Sequence, residues 1–289
     1  MSLELVLDAR AELGEGPCWD AIDQSLVWVD ITQSLVHFYE PATRRDTVLD
    51  VGQPVGCVAR RSAGGLVLGL RDGFGLLDAP SSNLDLVAPV EDDNRLNRMN
   101  DGKCDPQGRL WAGTMAFDST PGAGVLYRFD LERGAAPMLA DTTVSNGIDW
   151  SLDETTMYYI DSGAHRVDEF DWDGEHGTIG NRRPLIEIPE SEGVPDGMTV
   201  DAEGFLWVAI WDGWAVRRYA PDGTLDRVVE LPVARVTSCA FGGADLCDLY
   251  ITSASVGLDD QQLGQQPHAG GLFRFRPGVR GRHANLFAG

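Results

Sequence analysis

Six times along this chain, a short segment holding one polar or small residue at a fixed place turns tightly and leaves as an apolar strand. The fullest copy is Arg98 to Met115, R-M-N-D-G-K-C-D-P-Q-G-R-L-W-A-G-T-M. It opens on Arg98, Asn100, Asp101 and Lys103, the last being the only lysine in the chain. Asp196 to Ala209, Asn146 to Ile160 and Glu15 to Asp30 repeat the pattern, and weaker copies begin near Gly56 and Thr237. Aligned on the turn, they give one column: Glu15, Gly56, Asn100, Asn146, Asp196, Thr237. Short strands recurring about every 40–50 residues predict the blades of a β-propeller. Six copies predict an all-β, six-bladed propeller with four antiparallel strands per blade, forming one domain over residues 1–289.

Individual strands follow from alternation and turn punctuation. Blade one reads Pro17–Trp19, Leu26–Ile31, Leu35–Tyr39 and Asp46–Val51; blade two reads Cys57–Arg60, Leu66–Leu70, Gly75–Leu77 and Leu84–Val87. Asp72-Gly73, Asp173-Gly174 and Asp222-Gly223 mark hairpin turns. A propeller must close its ring, and the isolated strand Leu3–Leu7 is expected to complete the last blade, with Ala284–Phe287 as the competitor. No segment shows sustained helical periodicity, and the two longer loops are Phe117–Ala123 and Gly257–Gly270.

The formal net charge of −22 argues against nucleic acid and anionic membranes as partners, since binding phosphate needs clustered cations. Solubility is the ordinary role of such a charge. The five cysteines (Cys18, Cys57, Cys104, Cys239, Cys247) include no C-x-x-C pair, so neither a zinc cluster nor a redox pair is indicated. Four fall on expected inner strands, as small buried residues would. The opening M-S-L-E-L-V-L-D lacks a basic segment followed by an apolar one, so the expectation is a cytoplasmic protein with reduced thiols.

Equivalent positions on the inner strands of a propeller converge on its central channel. Five of the six column residues carry side-chain oxygens. Glu15, Asn146 and Asp196 together supply two carboxylates and a neutral amide, the set expected around one divalent cation. Oxygen-only ligation suits calcium, magnesium or manganese and leaves zinc and iron(II) open. Taken singly, E-G, N-G and D-G are ordinary turn pairs; only the shared register favours a metal. No competing chemistry stands out. There is no G-x-S-x-G elbow, no phosphate-binding loop, and no histidine pair at ligand spacing. Trp19, Trp28, Trp111, Trp150 and Trp207 recur at equivalent places and read as packing, whereas Trp211 and Trp214 flank a turn.

The motifs G-E-G-P-x-W, R-x-N-D-G-K-x-D-x-x-G-R-x-W-x-G-T-M, S-N-G-I-x-W-S and P-D-G-M-x-V-D-x-E-G-x-L-W-V-A occur in this order along nearly the whole chain. Together they resemble the gluconolactonase, senescence marker protein (regucalcin) and luciferin-regenerating enzyme family. The resemblance implies a six-bladed propeller that hydrolyses small-molecule sugar lactones with one divalent metal. It implies metal binding by Glu15, Asn146 and Asp196, and substrate contacts from Arg98 and Asn100. A further acidic substrate contact of the family falls at Asp118, where this chain has F-D in place of E-E. Asp196 is the best candidate for the base that takes a proton from the attacking water. Two alternatives stay open: another electrophile at the same site, such as an organophosphate ester, or a propeller that holds calcium without catalysis.

Overall fold

The computed structural model describes residues 3–79 and 82–289. Six four-stranded antiparallel sheets follow one another around a ring. Their innermost strands are Gly14–Asp20, Val55–Arg60, Asn97–Cys104, Ser145–Trp150, Val194–Val200 and Val236–Gly242. The fold is a six-bladed β-propeller. A lone four-stranded sheet leaves both faces open to water. Here each of six apolar clusters is shared by two neighbouring blades, so stacking buries what no blade can bury alone. Trp28, Trp111, Trp150 and Trp207 lie in these seams at no more than 1% exposure, which explains their recurrence.

The N-terminal strand closes the ring. Glu4–Leu7 pairs antiparallel with Leu272–Phe275 as the outermost strand of blade six. The C-terminal competitor does something else. Phe287 makes a single parallel bridge to Arg61, and its ring is buried between blades two and three, stacked on Phe129 at 5.4 Å.

The D-x-x-G-x-L-W turns have a physical cause. Asp105 is fully buried; it accepts from the backbone N–H of Gln107 and Arg109 and from Trp111 Nε1 at 3.0 Å. Asp201 does the same with Glu203, Phe205 and Trp207. One carboxylate thereby closes the hairpin and satisfies the indole behind it.

Three features depart from the expectations. A helix, Asp260–Gln265, lies within the long Gly257–Gly270 loop. It is too short to leave a helical period, and it is held by an Asp259/Gln262 capping box. An outer strand, Gly134–Thr142, completes blade three without the alternation that marks the other strands, since its solvent-facing residues and Pro137 interrupt it. Finally, the N-G and D-G pairs of the column are not turns. They lie inside inner strands, where the register slips. A Cβ at Gly147 would stand 2.8 Å from the Asp196 carbonyl oxygen, and one at Gly197 2.1 Å from Ser238 Oγ. Glycine is required there because adjacent inner strands almost touch.

Candidate active site

Glu15, Arg98, Asn100, Asn146 and Asp196 line one cavity of about 300 Å³ at the mouth of the channel. They come from blades one, three, four and five, and all are buried, at 3–6% exposure. Packed cores normally exclude such groups unless each has a partner.

Hydrogen bonds link Arg98, Asn100 and Asn146 to one another. Arg98 Nη1 donates to the Met99 carbonyl at 3.0 Å and to Asn100 Oδ1 at 2.7 Å. Asn100 Nδ2 donates to Asn146 Oδ1 and to the Ser145 carbonyl, both at 2.9 Å. Asn146 Nδ2 donates to Ser162 Oγ at 2.8 Å, and that hydroxyl donates to the Pro195 carbonyl at 2.6 Å. This chain of bonds crosses from blade three through blade four to blade five. It fixes which end of each amide faces the cavity.

The carboxylates are not so satisfied. Among the described residues, Glu15 accepts a single local hydrogen bond, from the Gly16 N–H at 2.9 Å. Burial first, then the negative charges of Asp196 and Asp101, hold its pKa well above the ordinary carboxylate range. Asp196 is pushed up likewise by burial and by Asp101, ahead of the relief from Glu15, Arg98 and the Gly197 N–H. Burial lowers the Arg98 pKa to about 10 against the pull of both acids, so the guanidinium stays charged at neutral pH. Its Nε is buried with no hydrogen-bond partner among the described residues. Two buried acids whose pKa values are both held high, with Asp101 adding negative charge to each, make a site short of positive charge.

That shortage is the observation a divalent cation fits. No group of three or more histidine, cysteine, aspartate or glutamate side chains arranged for a metal occurs among the described residues. The donor set here is two carboxylates and an amide. Glu15, Asp196 and the free lone pair of Asn146 Oδ1 are hard oxygen donors of the kind calcium, magnesium and manganese accept.

The model of the SMP-30/gluconolactonase/LRE-like region matches residues 13–255 of this propeller. The chain belongs to the SMP-30/gluconolactonase/LRE-like family. It is 42% identical to regucalcin of Gallus gallus over 296 aligned positions, covering 100% of this chain and 99% of that one. Among solved structures, a luciferin-regenerating enzyme superimposes with a TM-score of 0.93 at 35% identity, covering 99% of both chains. A calcium-binding protein, regucalcin, from Agrobacterium tumefaciens superimposes with a TM-score of 0.95 at 32% identity, covering 99% of this chain and 97% of that chain.

Within this SMP-30/gluconolactonase/LRE-like propeller, not every residue singled out in the sequence reaches the cavity. Gly56 brings no side chain. Thr237 turns its hydroxyl to the Gly14 carbonyl at 2.6 Å. Asp118 is exposed, and its Oδ1 accepts from the Thr120 N–H at 3.0 Å and from Thr120 Oγ1 at 2.7 Å. Its neighbour Ser119 lines the cavity instead. Asp101 and Lys103 sit further down the channel, on a second cavity. Lys103 Nζ donates to Asp149 Oδ2 at 3.0 Å and to the Met198 carbonyl at 2.8 Å. Arg282 reaches the other Asp149 oxygen at 2.8 Å. Burial would raise the Asp149 pKa, but these two cations outweigh it and hold it low.

Sequence reasoning missed Ser162, and it left Trp211 unassigned. Both stand at or just beyond the end of a blade's second strand, and both line the cavity. Their signal is positional. Asp30 and Asp161 end the equivalent strands of blades one and four, and each binds two backbone N–H groups of the segment entering the inner strand. Those bonds steady Glu15 and Asn146 from behind.

Proposed function

We propose that the chain is a metal-dependent sugar-lactone hydrolase that opens an aldonolactone to its aldonic acid. The observation that carries this reading is the pair of buried carboxylates, Glu15 and Asp196, facing the Asn146 amide in a cavity that also holds Arg98 and Asn100. Glu15, Asn146 and Asp196 would hold one divalent cation. Calcium is favoured by the oxygen-only donors and by the calcium-binding relative. When bound, the cation supplies Lewis-acid polarisation of the lactone carbonyl.

The remaining chemistry belongs to the chain's own residues. Asp196 takes a proton from the attacking water as its oxygen bonds to the carbonyl carbon. The carbonyl carbon–ring oxygen bond then breaks, and that proton passes to the departing ring oxygen. Arg98 and Asn100 orient the substrate. Arg98 keeps an unpartnered Nε for this, and Asn100 is held by its own bonds to Asn146 and Ser145. A site that only stored calcium would have no use for a buried, under-bonded guanidinium.

The test is hydrolysis of gluconolactone or a pentonolactone by chelator-treated and metal-restored protein. Turnover should stop on removal and return with a divalent cation. Unchanged turnover without metal would overturn the reading. Stoichiometric binding with no turnover of any lactone or organophosphate ester would favour the calcium-holding alternative.

A further inference from the structure

The cavity has two layers, and the outer one constrains the substrate. Side chains alternate along a strand, so residues two positions before Glu15, Asn100, Asn146 and Asp196 face the same channel one step nearer its mouth. These are Leu13, Arg98, Val144 and Val194, and all four line the cavity. The layer is lopsided. On the blade-three side stand the Arg98 guanidinium and, from the neighbouring loop, the Ser119 hydroxyl. Above Glu15, Asn146 and Asp196 stand Leu13, Val144 and Val194, none of which can hydrogen-bond; Met115 and Trp211 also line the cavity, and of these two only the Trp211 indole N–H adds a donor.

A lactone with its carbonyl toward the cation that Glu15, Asn146 and Asp196 would hold, and its ring hydroxyls toward Arg98 and Asn100, must turn its exocyclic carbon somewhere. The polar half of the collar is then occupied, and the aliphatic half remains. A hydroxyl placed there exchanges water for methyl groups. A hydrogen or a methyl at that carbon gains apolar contact instead.

We propose that the preferred substrates are sugar lactones with no hydroxyl on an exocyclic carbon, namely the δ-lactones of pentonic and 6-deoxyhexonic acids, and that Leu13, Val144 and Val194 set this preference. The inference rests on the lactone-hydrolase reading. A hydrophobic wall rejects one added hydroxyl only moderately, by about 10- to 100-fold in kcat/KM.

The experiment compares three δ-lactones of identical ring stereochemistry, those of D-xylonic, 6-deoxy-D-gluconic and D-gluconic acid, on metal-loaded protein with spontaneous hydrolysis subtracted. The first two should exceed the third by about tenfold or more in kcat/KM. Val144→Thr and Val194→Thr keep the side-chain shape and add a hydroxyl, and each should narrow that ratio at least about threefold. Equal or faster turnover of the D-gluconic lactone, or a ratio that neither threonine moves, overturns the inference while leaving the hydrolase reading intact. Turnover of none of the three overturns both.

Discussion

Asn100 on blade three donates its side-chain amide to Asn146 Oδ1 on blade four at 2.9 Å. The bond fixes the face that Asn146 presents to the two carboxylates. Asn100→Ala removes it, together with the bond to the Ser145 carbonyl. Outer partners of metal ligands are worth about 10- to 100-fold in affinity or activity. A loss of that size is expected in both kcat/KM and divalent-cation affinity, measured by lactone kinetics and calorimetry. Affinity within twofold of wild type would mean that Asn146 needs no such support.

Ser162→Ala cuts the same chain of bonds at its other end. Asn146 Nδ2 loses its acceptor, and the Pro195 carbonyl loses its donor. Metal affinity should fall about tenfold. Overall stability should drop by only about 1–3 kcal/mol, the cost of leaving a buried polar group unpaired. Calorimetric titration and chemical denaturation read the two effects separately.

Metal-free protein should lose stability as pH rises. Glu15 and Asp196 hold protons in the folded chain at pH values where the unfolded chain has released them, and Asp101 is raised to about 6. The folded state therefore binds more protons than the unfolded one from about pH 4 to beyond 6, and stability declines through that window. A bound cation reverses the preference, because it favours the ionised acids. The gain in Tm on adding metal should grow from pH 5 to pH 8. A gain independent of pH would contradict a site built on these two carboxylates.

Arg98→Lys and Asp118→Ala should part company. Lysine offers a compact ammonium in place of the planar guanidinium, whose Nη1 reaches both Met99 and Asn100 while its other N–H groups stay directed elsewhere in the site. Its kcat/KM should fall by about 10- to 100-fold. Asp118 caps an exposed turn through Thr120, so its alanine variant should stay within about threefold of wild type in kcat/KM. A large loss at Asp118 would mean that the 117–123 loop folds inward around substrate.

Lys103→Met tests the other end of the channel. Asp149 is buried and would lose one of its two cationic partners, at a cost of about 2 kcal/mol. The second cavity would be altered while the metal residues stay in place. Denaturation should show the destabilisation, and metal affinity should be unchanged.

The blade count was readable from the repeat because every blade meets the same requirement. An inner strand must approach its neighbours closely and feed a hairpin, and that demand leaves a glycine, a buried acid and a tryptophan at fixed intervals. Glu15, Asn146 and Asp196 stood out because they share one register of the repeat, where five of six residues carry side-chain oxygens and two are carboxylates. What stayed hidden lies off that strand. Ser162 and Trp211 reach the cavity from the far ends of second strands, whose register depends on bulges that spacing alone does not reveal. Asp118 faces outward and Ser119 takes the inward place, because one residue of shift in a loop exchanges the two faces. Thr237 sits in the column, yet a backbone carbonyl one blade away claims its hydroxyl.

The most direct measurement is the divalent-metal content of protein purified without chelator and dialysed against calcium, for wild type, Glu15→Gln and Asp196→Asn. One ion per chain in the wild type and none retained by either variant is the expected result. Equal occupancy in all three would show that these carboxylates do not hold a cation at the propeller axis.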